Sequence, residues 1–405
     1  MKRVKKYGLP LMIALMAVFA SGCWNSRELR DMSIVIGMGI DAVPDSQQYR
    51  VSFQIVNSGA MQAAGSSQGG ANMLPIVVFN EKADTLFGAL RKVSRKVPRR
   101  LFFGHIQVVV IGESIARKGM PEVFDFFERA HEIRMNSAVL IARDATAEKV
   151  ISIITPLERL SAIGIAKRTR MSSHLWAENA DSTVHEVVRE IVGPGVPVIG
   201  GIRVFDAENA GQTTKNLENS KLPSFLKVQG LSLLREGKLA GWLDGRLARG
   251  ALLLRKELKN TVYEVPCGDS GHEVVVSVAR SRVGVKPKLE QGKLTFAVDI
   301  METGSVVEAN CALDPGRSET LEQLQKQWEK LVEQEVTEAV KAAQEKQSDI
   351  FGFGTTVRHR YPEQWKTMEK DWPKRFAESG VEVHVDMFLR RTGMRGETFK
   401  EEQSK

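Results

Sequence analysis

A cysteine at position 23 offers the most specific chemistry in this 405-residue chain. It ends the run Phe19-Ala20-Ser21-Gly22-Cys23-Trp24-Asn25, and a basic start (Lys2, Arg3, Lys5, Lys6) and an apolar stretch from Leu9 to Phe19 lie ahead of it. Charged start, short apolar core and small residues before a cleavage point are the parts of a secretory signal. The stretch is shorter than the ~20 apolar residues that a membrane span needs. Small residues leading into a cysteine match the lipobox of bacterial lipoproteins, whose thiol receives a diacylglycerol before the chain is cut on its N-terminal side. Ala20 stands where a larger aliphatic is usual, and Ala20-Ser21-Gly22 would also suit an ordinary signal peptidase, which would leave Cys23 bare. The expectation is an exported chain with residues 1–22 removed and Cys23 as the lipid attachment site.

A second constellation is cationic. Arg91, Lys92, Arg95, Lys96, Arg99 and Arg100 place six basic residues within ten positions, on one face of an expected helix and at its exit. The bland reading is a solvated helix face. The functional one is docking to anionic lipid headgroups or to an acidic partner surface. Nucleic acid is excluded as a partner because the chain is exported and the cluster lacks interleaved aromatics.

Other residue types give weaker signals. No Cys-x-x-Cys or His-Glu-x-x-His occurs and the seven histidines are scattered, so no metal site is readable. No serine or cysteine sits in a nucleophile elbow. Gly37-Met38-Gly39 lacks the third glycine of a dinucleotide loop and has Asp41 where phosphate would approach, so it reads as a close-packed strand. Gly352-Phe353-Gly354 lacks the Lys-Ser/Thr of a phosphate loop and suits a helix end. His105, just before an apolar run, reads as a hydrogen-bonded core residue. The carboxylates of Glu257 and Glu264 cannot be brought into one cleft from sequence. No catalytic residue and no cofactor is therefore expected. With Cys23 acylated, Cys267 and Cys311 remain, and whether they pair is left open by the sequence.

The elements that would position these residues fit a folded body on a tether. Hydrophobic residues make up 42% and charged residues 26%, ordinary globular usage. The net charge of +8 includes four cations in the signal, so subtracting 4 leaves +4 on the remainder, mildly basic and suited to an anionic membrane. Strands are expected at 34–40, 49–56, 75–79, 106–111 and 137–141. Helices are expected after Asn80, after Pro121, at 147–154 and within 157–191, and residues 57–73 read as a mobile loop. This alternation argues for a mixed α/β first domain, ended by Gly193-Pro194-Gly195-Val196-Pro197. Beyond it come a strand at 199–205, a polar loop at 206–221, and two strands joined at Glu236-Gly237. Leu247–Leu254 is compatible with either helix or strand. Strands at 273–279 and 293–300 follow, then a long helix entered at Asp314-Pro315 with an apolar stripe from Leu321 to Ala343, and a final strand at 381–388.

In this order the segments resemble the Ger(x)C family, the lipoprotein C subunits of spore germinant receptors. Gly22-Cys23-Trp24-Asn25-Ser26-Arg27-Glu28-Leu29-Arg30-Asp31 is similar to the family's start, and Gly37 to Asp41 to its Gly-x-Gly-(Ile/Phe)-Asp. Further matches are Arg100-Leu101-Phe102-Phe103-Gly104-His105, the Gly241-Trp242-Leu243 element, and Asp349 to Gly354 followed by Pro362, Trp365, Trp372, Phe376 and Gly393. The resemblance implies an α+β fold of three domains, mixed sheets flanked by helices. Boundaries on this reading are 24–195 for an N-terminal α/β domain, 196–270 for a mainly β middle domain and 271–395 for a C-terminal α+β domain. It also implies a non-enzymatic, lipid-anchored subunit on the outer face of the spore inner membrane. The partners would be integral membrane A- and B-type receptor subunits, and direct binding of a small molecule is left open. The rival reading is the solute-binding lipoprotein of a transporter, which would require two doubly wound lobes about a ligand cleft.

Overall fold

A computed structural model of the chain describes residues 31–63, 73–267, 273–311 and 318–390. The signal segment, Cys23, most of the 57–73 loop and Asp314-Pro315 lie outside these residues.

Strands β1 (Met32–Ala42), β2 (Tyr49–Val56), β3 (Ile76–Ala83), β4 (Arg100–Phe102), β5 (Val108–Gly112), β6 (Ala138–Arg143), β7 (Gly200–Asp206), β8 (Ser224–Arg235) and β9 (Lys238–Leu243) form one sheet. Its order is β3-β2-β1-β5-β6-β7-β8-β9, with β4 beside the start of β1. The centre, β1-β5-β6-β7, is parallel, and antiparallel strands flank it on both sides. Val109 and Ile111 point into one hydrophobic core, Val108 and Val110 into another on the opposite face. Burial on both faces is why β5 reads as an unbroken apolar run.

Helices Leu86–Lys92, Pro121–Arg129 and Val184–Val192 cover one face, and Ala147–Ser152 and Ser161–Leu175 the other. Gly39 has a packing role, because a Cβ there would lie 3.1 Å from the Ala147 carbonyl carbon. Close approach lets the Asp41 carboxylate accept the N–H groups of Ala147 (2.8 Å) and Glu148 (2.9 Å), capping that helix.

The segment expected as a separate middle domain contributes β7, β8 and β9 to this same sheet, β7 pairing in parallel with β6. The sheet therefore does not divide at residue 195. Leu247–Leu254 lies in a helix, Gly245–Leu254, and the expected polar loop at 206–221 contains two short helical turns.

A second sheet, β10 (Val262–Pro266), β11 (Glu273–Glu290), β12 (Lys293–Ala309) and β13 (Gly380–Arg390), is ordered β10-β11-β12-β13. β11 and β12 form a hairpin about twice as long as the alternation suggested, closed by Gln291 and Gly292, both at positive φ as a tight hairpin turn requires. β13 returns parallel to β12 after the Ser318–Glu345 helix and three short helices. At Met387 and Leu389 its free edge is closed by the long helix, where Glu329 and Gln325 accept the two backbone N–H groups. Blocking an edge this way removes a template for unwanted strand pairing.

One hydrophobic core joins the sheets. It contains Leu231, Leu233 and Leu243 of the first sheet, the Gly245–Leu254 helix, and Trp328, Val332 and Val336 of the long helix. The two helices approach closely at Gly250, where a Cβ would sit 2.8 Å from the Glu335 carbonyl oxygen. Cys267 and Cys311 are disulfide-bonded, with Cα atoms 6.6 Å apart, resolving the pairing that the sequence left open.

Candidate functional site

The cationic residues come together along one flank of the first sheet. Arg91 and Lys92 end the Leu86–Lys92 helix, a turn from Val93 to Arg95 follows, and Arg100 begins β4. Glu81 on β3 takes Lys96 at 3.1 Å and Arg95 at 3.5 Å, which holds its carboxyl below the usual value despite burial. Glu132 takes Arg91 at 3.1 Å, Lys96 also donates to the Asn80 carbonyl, and Arg99 reaches the Ser58 hydroxyl at 3.4 Å. Lys92 and Arg100 have no ion-pair partner among the described residues. All six side chains are exposed, as a solvated face requires.

His105 is not in the core. It is exposed and meets the half-exposed Phe102 ring edge-on, with 5.3 Å between centroids. The apolar run that suggested burial begins one residue later, at Ile106. Glu264 faces outward from β10, whereas Glu257 lies against Arg255. Among the described residues no group of three or more His, Cys, Asp or Glu could hold a metal ion.

Two polar constellations escaped sequence reasoning. At the junction between the sheets, the buried Arg255 guanidinium donates to Glu190 (2.9 Å), to Glu257 (2.9 Å) and to the Ile350 carbonyl. Partial desolvation against the junction raises Glu257 above its ordinary value, although its side chain keeps solvent contact, and Arg255 opposes the rise. A cavity of about 590 Å³ adjoins this pin, lined by Gly193, Val196, Val285, Phe351 and Thr355 among others. Deeper in the second sheet, Arg249 binds Glu335 with its Nε at 3.0 Å from Oε2, donates to the Val262 carbonyl at 2.9 Å, and lies 4.3 Å over the Tyr263 ring. Glu302, fully buried nearby, finds no hydrogen-bond partner of ordinary geometry among the described residues, nor do the Tyr263 and Ser281 hydroxyls or the Trp328 indole N–H. Burial pushes the Glu302 carboxyl up to about 7, a rise that the nearby Arg249 charge only partly opposes. The alternation of β12 could have revealed it, since Glu302 falls between the inward positions Ile300 and Gly304.

The motifs near the chain's end have structural work. Asp349 accepts from Phe353 N (3.0 Å), Gly354 N (2.7 Å) and the Trp372 indole N–H (2.9 Å), starting the Phe353–Arg360 helix and pinning the Trp372 helix to it. A Cβ on Gly354 would lie 2.8 Å from that indole nitrogen. Gly352, at φ 75°, precedes a helix instead of ending one in the manner the sequence suggested. Trp242 carries the Arg143 guanidinium 4.5 Å over its ring, and Asp244 holds Arg143 by ion pairing.

Two family models match consecutive stretches: a spore germination protein N-terminal domain over residues 25–204, and a spore germination B3/GerAC-like C-terminal domain over 229–393. The chain belongs to the Ger(x)C family of spore germination proteins. Spore germination protein KC of Bacillus subtilis is 28% identical over 98% of each chain. Spore germination protein B3 of the same organism is 22% identical over 98% of this chain and all of its own. The crystal structure of the GerBC protein aligns with a TM-score of 0.53 at 21% identity, covering 87% of this chain and 96% of that one, so the Ger(x)C member shares its α+β fold. A nine-stranded and a four-stranded sheet on a common core are not the two doubly wound lobes that the solute-binding rival requires.

Proposed function

We propose that this Ger(x)C protein is a lipid-anchored, non-catalytic subunit of a nutrient germinant receptor, working by assembly with integral membrane A- and B-type subunits. The observation that carries the reading is the pair of family matches, over residues 25–204 and 229–393, the first beginning two residues after the lipobox cysteine. No helix among the described residues is long and apolar enough to cross a membrane, so attachment would rest on Cys23. Two acyl chains there, a thioether-linked diacylglycerol aided by N-terminal acylation, meet the requirement for stable anchoring. The site of action would be the outer face of the spore inner membrane.

The test is nutrient germination of spores lacking the gene, complemented with wild type or Cys23→Ala. Loss of response to one nutrient class, with non-nutrient triggers intact and the Cys23→Ala chain unable to restore it, is the expected result. Normal nutrient germination by Cys23→Ala spores with the protein still in place would refute the anchoring role.

A further inference from the structure

The described chain enters the fold at β1, and β1 begins by pairing in parallel with β4: Met32 with Arg100, Ser33 with Leu101, Ile34 with Phe102. Paired strands lie about 4.8 Å apart, so the entry point stands beside Arg99 and Arg100. From Arg100 the cationic stripe runs back through Lys96 and Arg95 to Lys92 and Arg91. Opposing carboxylates are Glu81 and Glu132 within the stripe and Asp31 at the entry. Six cations less these three acids leave an excess of three positive charges on one flank. Phe102, 36% exposed, adds an aromatic ring at the same end.

Chain length sets where this flank can be. Cys23 and residue 31 are eight residues apart, a reach of at most about 29 Å when fully extended. A body held that near a bilayer keeps its nearest charged surface within a few Debye lengths of the headgroups, about 8 Å each at physiological salt.

We propose that the flank from Arg91 to Arg100 rests on an anionic lipid surface, orienting the body on its tether. This deepens the proposed function and rests on acylation of Cys23. Charge complementarity favours phospholipid over an acidic protein surface because all six side chains of the stripe are exposed and it begins beside the start of β1, where the described chain enters the fold. Each cation brought against an anionic leaflet strengthens the contact about fivefold.

The full chain, purified with its anchor, is reconstituted on phosphatidylcholine vesicles with or without phosphatidylglycerol and treated with an impermeant amine-acylating reagent. Labelling is read by mass spectrometry at Lys92 and Lys96, with Lys366, exposed in the C-terminal helices, as reference. On anionic vesicles Lys92 and Lys96 should lose reactivity several-fold relative to neutral ones, high salt should restore it, and Arg99→Gln with Arg100→Gln should weaken the protection at both. Both replaced side chains are exposed, so the fold should be unaffected. Equal labelling on the two vesicle types, with the acyl groups present on the N-terminal peptide, overturns the lipid contact and leaves the tether standing. Protection on neutral vesicles that appears only with the membrane subunits co-reconstituted overturns it in favour of a protein surface. An N-terminal peptide without acyl groups overturns the tether and this placement together.

Discussion

Replacing Glu302 with glutamine should flatten the pH dependence of stability without altering the fold. Glu302 is fully buried on β12, and the groups that face it come from four other elements: Arg249, Glu335, Tyr263 and Ser281. Its ordinary value of 4.5 is pushed up to about 7 in the folded chain. At about 1.4 kcal/mol per pH unit, that gap corresponds to roughly 3 kcal/mol. The sign follows from which state ionises first. Below the unfolded value the carboxyl is protonated in both states, and its contribution to stability is fully present. As the pH rises, the unfolded chain ionises first and folding must restore the proton, so stability falls until about pH 7 and is then level. Burial also raises Asp41, Glu335 and Asp349, and partial desolvation raises Glu257, so only the difference between the two proteins isolates Glu302. The assay is urea unfolding of wild type and Glu302→Gln at intervals from about pH 4 to about pH 8. Wild type should lose about 3 kcal/mol relative to the variant across that range. Parallel curves, or a relative gain by wild type as pH rises, would refute the argument.

Two further outcomes can be measured by denaturation. The disulfide closes a loop with a sequence separation of 44, and replacing both Cys267 and Cys311 with serine should cost about 4 kcal/mol by chain entropy; a loss below ~1 kcal/mol would show the denatured chain already compact there. Asp349→Ala strands three buried N–H donors and should cost about 3 kcal/mol or more, with Asp349→Asn losing less because one acceptor oxygen remains. Equal stability of the alanine and asparagine variants would show that these bonds do not hold the two helices.

Much of the first sheet was legible because its strands are short, apolar and separated by helical periodicity. β1, β2, β5 and β6 fall close to the expected positions, and the Leu321–Ala343 stripe faces the core that joins the two sheets. The glycines at 37 and 39 have the packing role read for them. What the sequence obscured is non-local. Nothing in β7 to β9 announces that they extend the first sheet, because strand pairing depends on register between distant segments. β12 runs past the expected end at residue 300 with Glu302, a carboxylate, at a position whose period calls for an apolar side chain. Arg249 and Arg255 carry no motif that marks them in the sequence, and only folding brings Glu335, Glu190 and Glu257 to them. The cationic flank was visible as a run of residues, but its place beside the start of β1 required the β1–β4 pairing.

That first strand also decides how the molecule meets mechanical load. β1 lies inside the sheet, bonded antiparallel to β2 and parallel to β5. A pull on the chain ahead of residue 31, directed along the strand, slides β1 against both neighbours. The hydrogen bonds of the two ladders are then strained together, in shear, instead of opening one after another from an edge. The body is thus built to be dragged by its N-terminus without unravelling there, and a force arriving at that end passes into the centre of the larger sheet.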